Sequence, residues 1–183
     1  MARNDLRSSD TRIKVSLDPE ELLKHASRLA ADDEALQTDL RRALSAAYYA
    51  VFHFASTAAA DTIFGEAART TQEYLLVYRS IDHGRLVGLC KQLFGTKPAK
   101  DISINLPNGF GEIAEFARLT HNLYQLRIKA DYIPGAIFSA SEVRLEISNA
   151  QVAIKSFNSS TSEQRAAFLA MLLFKSRKEG QTP

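Results

Sequence analysis

Two short runs carry residue types that could do chemistry. The first spans Arg41 to His53 (RRALSAAYYAVFH), a helix-permissive stretch that still holds two adjacent tyrosines, a histidine and an arginine pair. At about 100° per residue, Arg42, Ala46, Tyr49 and His53 fall along one side of such a helix, and the small Ala46 leaves room between the larger side chains. The second run is Arg127-Ile128-Lys129-Ala130-Asp131-Tyr132, near the end of another helix. Its buried stripe by helical spacing is Ile113, Phe116, Thr120, Leu123 and Ala130, and Arg127 falls inside that stripe. Asp131, four residues on, shares a side with Arg127, whereas His121, Gln125, Lys129 and Tyr132 project elsewhere.

An arginine on the apolar side of a helix must find acceptors, because an unpaired buried guanidinium is very costly. One reading pairs Arg127 with Asp131 as a structural lock near the helix end. The other poises Arg127 to grip a phosphate through two parallel hydrogen bonds. If the two helices pack together, Arg127 and Asp131 face Tyr49 and His53. The structural version is then a polar network in which Asp131 orients His53 and the tyrosine hydroxyl satisfies Arg127. The functional version sets the same atoms around a cleft, with His53 as general acid or base and Arg42 and Arg127 as phosphate clamps. Spacing alone leaves both open. Asp82-His83-Gly84-Arg85 reads first as a helix junction capped by Asp82.

Other chemistries find little support. There is no phosphate-binding glycine-rich loop, no serine in a strand-to-helix elbow, and no paired cysteine. His25, His53, His83 and His121 lack metal-ligand spacing, and no cofactor is expected. The lone Cys90 lies among Leu86, Leu89 and Leu93, which predicts a buried inert thiol and a cytoplasmic chain without disulfides. No apolar run approaches the roughly 20 residues that span a bilayer, so no membrane association is expected. The net charge of +2 neither demands nor excludes nucleic acid.

The elements that must position these groups are helical. With 183 residues, 8 glycines and 5 prolines gathered between apolar-periodic segments, the chain reads as all-α, an up-down antiparallel bundle of five main helices plus a C-terminal helix. Residues 1–15 and 177–183 read as flexible, 16–158 as the bundle, and 159–176 as the additional helix. Asp18-Pro19-Glu20-Glu21 starts the first helix, running to about Ala31. The second should begin near Asp32 or Asp33 and reach about Ile63, burying Leu36, Leu40, Ala43, Ala47, Val51, Phe54 and Ala58. A third segment opens at Thr70 or Thr71, is interrupted near Asp82, and stops at Gly95. Residues 96–108 read as a loop whose Ile102, Ile104 and Leu106 pack down. The fourth helix runs from about Phe110 to Ala130, where Pro134 and Gly135 prevent continuation. Ser139-Ala140-Ser141-Glu142 and Ser160-Thr161-Ser162-Glu163 each read as a capping box for the last two helices. The final helix, with Phe168, Leu169, Leu172 and Leu173, packs on the bundle or meets a second chain.

The runs RRALSAAYYAVFH and LRIKADY (Leu126 to Tyr132) together resemble the signature of the HEPN domain family (higher eukaryotes and prokaryotes nucleotide-binding). The likeness covers roughly residues 18–157 and is nearest a bacterial and archaeal branch with a YYxxxH helix and an RxxADY helix end. It implies an up-down helical bundle, a homodimer, an RNA or nucleotide ligand, and a nucleotidyltransferase antitoxin as partner. Active members of the family are metal-independent endoribonucleases that use an arginine and a histidine separated by four to six residues. Others are non-catalytic modules. The resemblance therefore implies Arg127 and His53 as catalytic residues, with Arg42, Tyr49, Asp131 and Tyr132 binding. The chain departs from the catalytic pattern at one place: Tyr132 stands where a histidine would follow Arg127. A tyrosine with an ordinary pKa near 10 is a poor base at neutral pH, so His53 must stand in from another helix.

Overall fold

The computed structural model describes residues 17–94, 106 and 109–174. The expected flexible N-terminal segment and C-terminal tail lie outside the described residues, as do Ile102 and Ile104. The fold is all-α. Among the described residues there are seven α-helices: α1 (Pro19–Leu29), α2 (Gln37–Phe64), α3 (Gln72–Ser80), α4 (His83–Phe94), α5 (Glu112–Tyr132), α6 (Ala140–Ser159) and α7 (Ser162–Leu173). A 3-10 turn, Glu66–Ala68, follows α2. No helix is long and apolar enough to cross a membrane.

Local chemistry sets most of the boundaries. Asp18 caps α1 by accepting from the Glu20 N–H, and Pro19 takes the first helical position. Thr71 caps α3 through the Tyr74 N–H, and Ser139 with Glu142 closes a full capping box on α6. The last box sits one residue later than the sequence suggests. Thr161 is the cap and Gln164 its reciprocal partner, and the Gln164 side chain also donates to the Gly109 carbonyl.

The start of α2 also differs from expectation. Asp32 accepts from the Glu34 N–H and closes a turn, so the chain does not become helical again until Gln37. Leu36 consequently lies outside the helix and is 69% exposed rather than buried. At the other end Gly65, with φ 75, stops α2 by returning its N–H to the Asp61 carbonyl in a conformation that side chains resist. The third segment divides at Ile81 into α3 and α4, and the Asp82 carboxylate accepts from the Arg85 N–H at the start of α4.

Helix α2 is the axis of the molecule and packs against α1, α3, α5, α6 and α7. From Ala43 to Ala60 none of its residues is exposed. Ala46, Tyr48, Ala50, Phe52, Ala55 and Ala59 are buried in addition to the expected Leu40, Ala43, Ala47 and Val51. Alanines on several sides let neighbouring helices approach closely. The stripe of α5 is buried as its spacing implies: Ile113, Phe116, Thr120, Leu123 and Ala130 are all at most 2% exposed.

The last helix packs on the bundle. Phe168 and Leu172 are fully buried, and Phe168 meets Phe116 edge-on at 5.4 Å and Phe157 at 5.9 Å between ring centroids. Phe116 and Phe157 close the triangle at 5.2 Å.

Candidate functional site

The site forms where α2 crosses the C-terminal half of α5 and the corner between α3 and α4. Its framework is held by Arg41. This guanidinium donates to the carbonyls of Ala130 at 2.7 Å, Ile133 at 3.0 Å, Pro134 at 2.7 Å and Ala136 at 2.6 Å. The end of a helix leaves carbonyls without partners, and a planar fork of donors suits them. One turn earlier, Gln37 clamps Phe138 by donating to its carbonyl at 2.6 Å and accepting its N–H at 3.0 Å. Together these two side chains fix the end of α5 and the loop beyond it against α2.

That anchoring places Arg127 against Tyr49. Arg127 Nη2 donates to the Tyr49 hydroxyl at 3.0 Å, and its Nε lies 2.7 Å from Asp131 Oδ2. The buried Nε–H is turned off that line, so the contact with Asp131 is an ion pair rather than a formed hydrogen bond. The guanidinium also lies over the rings of Tyr49 and Tyr132, 5.5 Å from each centroid. Burial works against its charge, but Tyr49, Asp131 and Tyr132 outweigh burial and hold the pKa above the ordinary arginine value. The side chain is 12% exposed.

His53 approaches from the other side of Tyr49. Its ring stacks on Tyr49 at 5.9 Å and on Tyr78 at 6.0 Å. Its partner is Tyr78, not Asp131: the Tyr78 hydroxyl lies 2.5 Å from Nδ1. Asp131 instead accepts from the Ser45 hydroxyl at 2.5 Å. The expectation that Asp131 orients His53 is thus corrected, because the α3 tyrosine reaches the imidazole while Arg127 and Ser45 take the carboxylate.

A second histidine joins the cluster. His83, the first residue of α4, has the Tyr48 hydroxyl 2.9 Å from its Nδ1, packs 4.1 Å from Phe52, and meets Tyr49 edge-on at 5.5 Å. Burial pushes the pKa of both imidazoles below the usual range; His83 adds to this at His53, and Arg127 at His83, where Asp82 partly opposes it. Burial also raises the Tyr48 and Tyr78 phenols. Each ring thus has a phenol hydroxyl on its Nδ1, and which atom donates follows the tautomer of the imidazole.

The structure brings Arg42, Tyr49, His53 and Asp131 into the lining of one groove of about 710 Å³, which Leu22 and His25 of α1 also border. Arg127 lies one layer in, behind Tyr49. Tyr132 is 66% exposed beyond Asp131. Arg42 is exposed and makes no hydrogen bond or ion pair among the described residues. Sequence reasoning missed Arg41, Tyr78 and His83 as members. The only available signal for the last two was that a break at Asp82 would turn both back toward α2. No group of acidic, cysteine or histidine side chains suited to a metal occurs among the described residues. Cys90 is buried with its thiol pKa pushed up, which leaves it inert.

The lowered imidazoles have a measurable consequence. His53, His83 and His121 all titrate below the ordinary 6.5 when folded. On acidification the unfolded chain therefore binds these protons first. The stability they contribute is complete above about pH 6.5 and is lost as pH falls through the folded values. Melting temperature should drop as pH falls below about 6.5, and the slope should be shallower in the His53→Gln/His83→Gln double variant. An unchanged slope would exclude these two rings as its source.

In comparisons with known proteins, no family model matches the chain, and no curated protein or solved structure matches it significantly. The fold and site define an all-α protein with an arginine, two histidines and a layer of tyrosines gathered at a helix crossing.

Proposed function

We propose that the protein is an RNA- or nucleotide-directed helical domain of the HEPN type, working in a toxin–antitoxin or defence system as a metal-independent endoribonuclease. The observation that carries this reading is the meeting of Arg127 with His53 through Tyr49, beside a groove that also holds Arg42. Arg127 neutralises the phosphate under attack, and its Nη1 is the part of the guanidinium not engaged by Tyr49 or Asp131. His53 moves a proton at that phosphate, and the unpaired Arg42 grips a neighbouring one. Tyr49, Asp131 and Tyr132 hold Arg127 in register. A cytoplasmic homodimer controlled by a nucleotidyltransferase partner belongs to the same proposal.

The test is cleavage of a mixed RNA pool in the presence of a chelator. Arg127→Ala should reduce the rate by about 100- to 1,000-fold, as removal of one charge-stabilising donor does elsewhere. His53→Ala should cost about 100-fold or more. Cleavage that neither substitution touches would reject these roles.

A second reading, a non-catalytic interaction module pairing with a nucleotidyltransferase or another partner, is favoured by one fact. Arg127 is only 12% exposed and already engaged on two sides. In that case the parent protein cleaves nothing, and Arg127→Ala lowers the melting temperature by leaving Asp131 without its counter-charge.

A further inference from the structure

We propose that His83 is the second proton-transfer group of this site, so that His53 and His83 work as an acid–base pair on an RNA phosphodiester. The inference rests on the ribonuclease reading and specifies its machinery. Strand scission through the neighbouring hydroxyl needs two proton movements. The 2′-oxygen attacks phosphorus while its proton passes to one imidazole Nε2. The P–O5′ bond then breaks with its electron pair on O5′, which takes a proton from Nε2–H of the other ring, an imidazolium. The products are a 2′,3′-cyclic phosphate and a 5′-hydroxyl, and neither water nor a redox partner is consumed. One histidine cannot hold both roles in a single pass.

The structure supplies two imidazoles in matched settings. Each has a tyrosine hydroxyl on Nδ1, Tyr78 for His53 and Tyr48 for His83. A hydroxyl can donate to a bare Nδ1 or accept from Nδ1–H, so it orients the ring in either tautomer. In both rings Nε2 makes no hydrogen bond among the described residues; His53 lines the groove and His83 is half-buried beside it. The two rings flank Tyr49, one face-on and one edge-on, and the Tyr49 hydroxyl holds Arg127. The charged groups facing His83 are Arg127 and Asp82, and His83 itself faces His53. Asp131 is committed to Arg127 and Ser45. A phosphate arriving in the groove beside Tyr49 would supply the anion that lets one ring hold its proton. The bland assignment of Asp82-His83 as a helix junction is kept: Asp82 does cap α4, and the same turn delivers the imidazole.

The experiment compares an ordinary RNA dinucleotide with one whose leaving 5′-oxygen is replaced by sulfur, which departs without a proton. His83→Asn and His53→Asn are used, because the Asn carbonyl preserves an acceptor for Tyr48 or Tyr78, and melting curves check that each variant folds. The parent should give the cyclic phosphate with a bell-shaped pH profile peaking below 6.5, the ordinary imidazole value. Both variants should lose about 100-fold or more on the oxygen substrate, and the sulfur substrate should restore only the variant that lacks the acid. A folded His83→Asn protein with the parent's rate and pH profile overturns the inference while leaving the ribonuclease reading intact. Loss in both variants with sulfur rescue in neither also overturns it. A parent that cleaves neither substrate removes the reading and the inference together.

Discussion

Phe168→Ala will unfold the protein at a temperature about 10–15 °C lower than the parent. The side chain is fully buried and forms one corner of the Phe116–Phe157–Phe168 triangle. Truncating such a ring costs about 3–5 kcal/mol through lost transfer energy and the cavity left behind. For a chain of this length each kcal/mol corresponds to about 2–4 °C. The same substitution tests the place of α7. If this helix were an appendage that shares no cooperative unit with the bundle, thermal unfolding would split into two steps and the main one would not move. A single transition, shifted as a whole, is the expected result of calorimetry.

Arg41→Ala is expected to be the most damaging substitution of a solvent-accessible side chain. It removes Nη1 from the Ala130 carbonyl and the two hydrogens of Nη2 from the carbonyls of Ile133, Pro134 and Ala136, of which Ile133 still accepts the Ala136 N–H. Hydrogen bonds from charged donors contribute about 1.5–3 kcal/mol each when isolated, but water reaches two of these carbonyls and the set is not additive, so a loss of about 2–4 kcal/mol is the reasonable total. That corresponds to a fall of about 6–12 °C. Arg41→Lys should recover only a minor part, because one ammonium cannot reproduce a planar fork spread over the end of α5 and the following loop. Denaturation of both variants measures this directly. Recovery to the parent's stability by lysine would mean that charge, not geometry, is what the site needs.

The contrast between Arg41 and Arg42 explains how far the sequence could be read. The helical class follows from periodicity and from caps whose partners lie within three residues: Asp18, Thr71 and Ser139 act where their spacing implies. The buried stripe of α5 follows for the same reason. Arg42 and Arg41 look alike in sequence, but the partners of Arg41 are backbone carbonyls 89 to 95 residues away. A carbonyl has no residue identity, so no pattern announces it. The start of α2 lies later than its spacing implies because Asp32 suits a turn as well as a helix cap. The site was legible in part. Arg42, Tyr49 and His53 share a side by simple geometry, and Arg127 stood out as a charge in an apolar stripe. Tyr78 and His83 were hidden because their placement depends on the angle between α3 and α4, which a break in periodicity locates but does not orient.

Helix α2 is enclosed by five neighbours and lined with alanines that hold them close. It has no flank that can detach while the remainder stays assembled. Its central amide protons will therefore exchange with deuterium only when the entire molecule opens, and their common exchange rate will report the global free energy of unfolding.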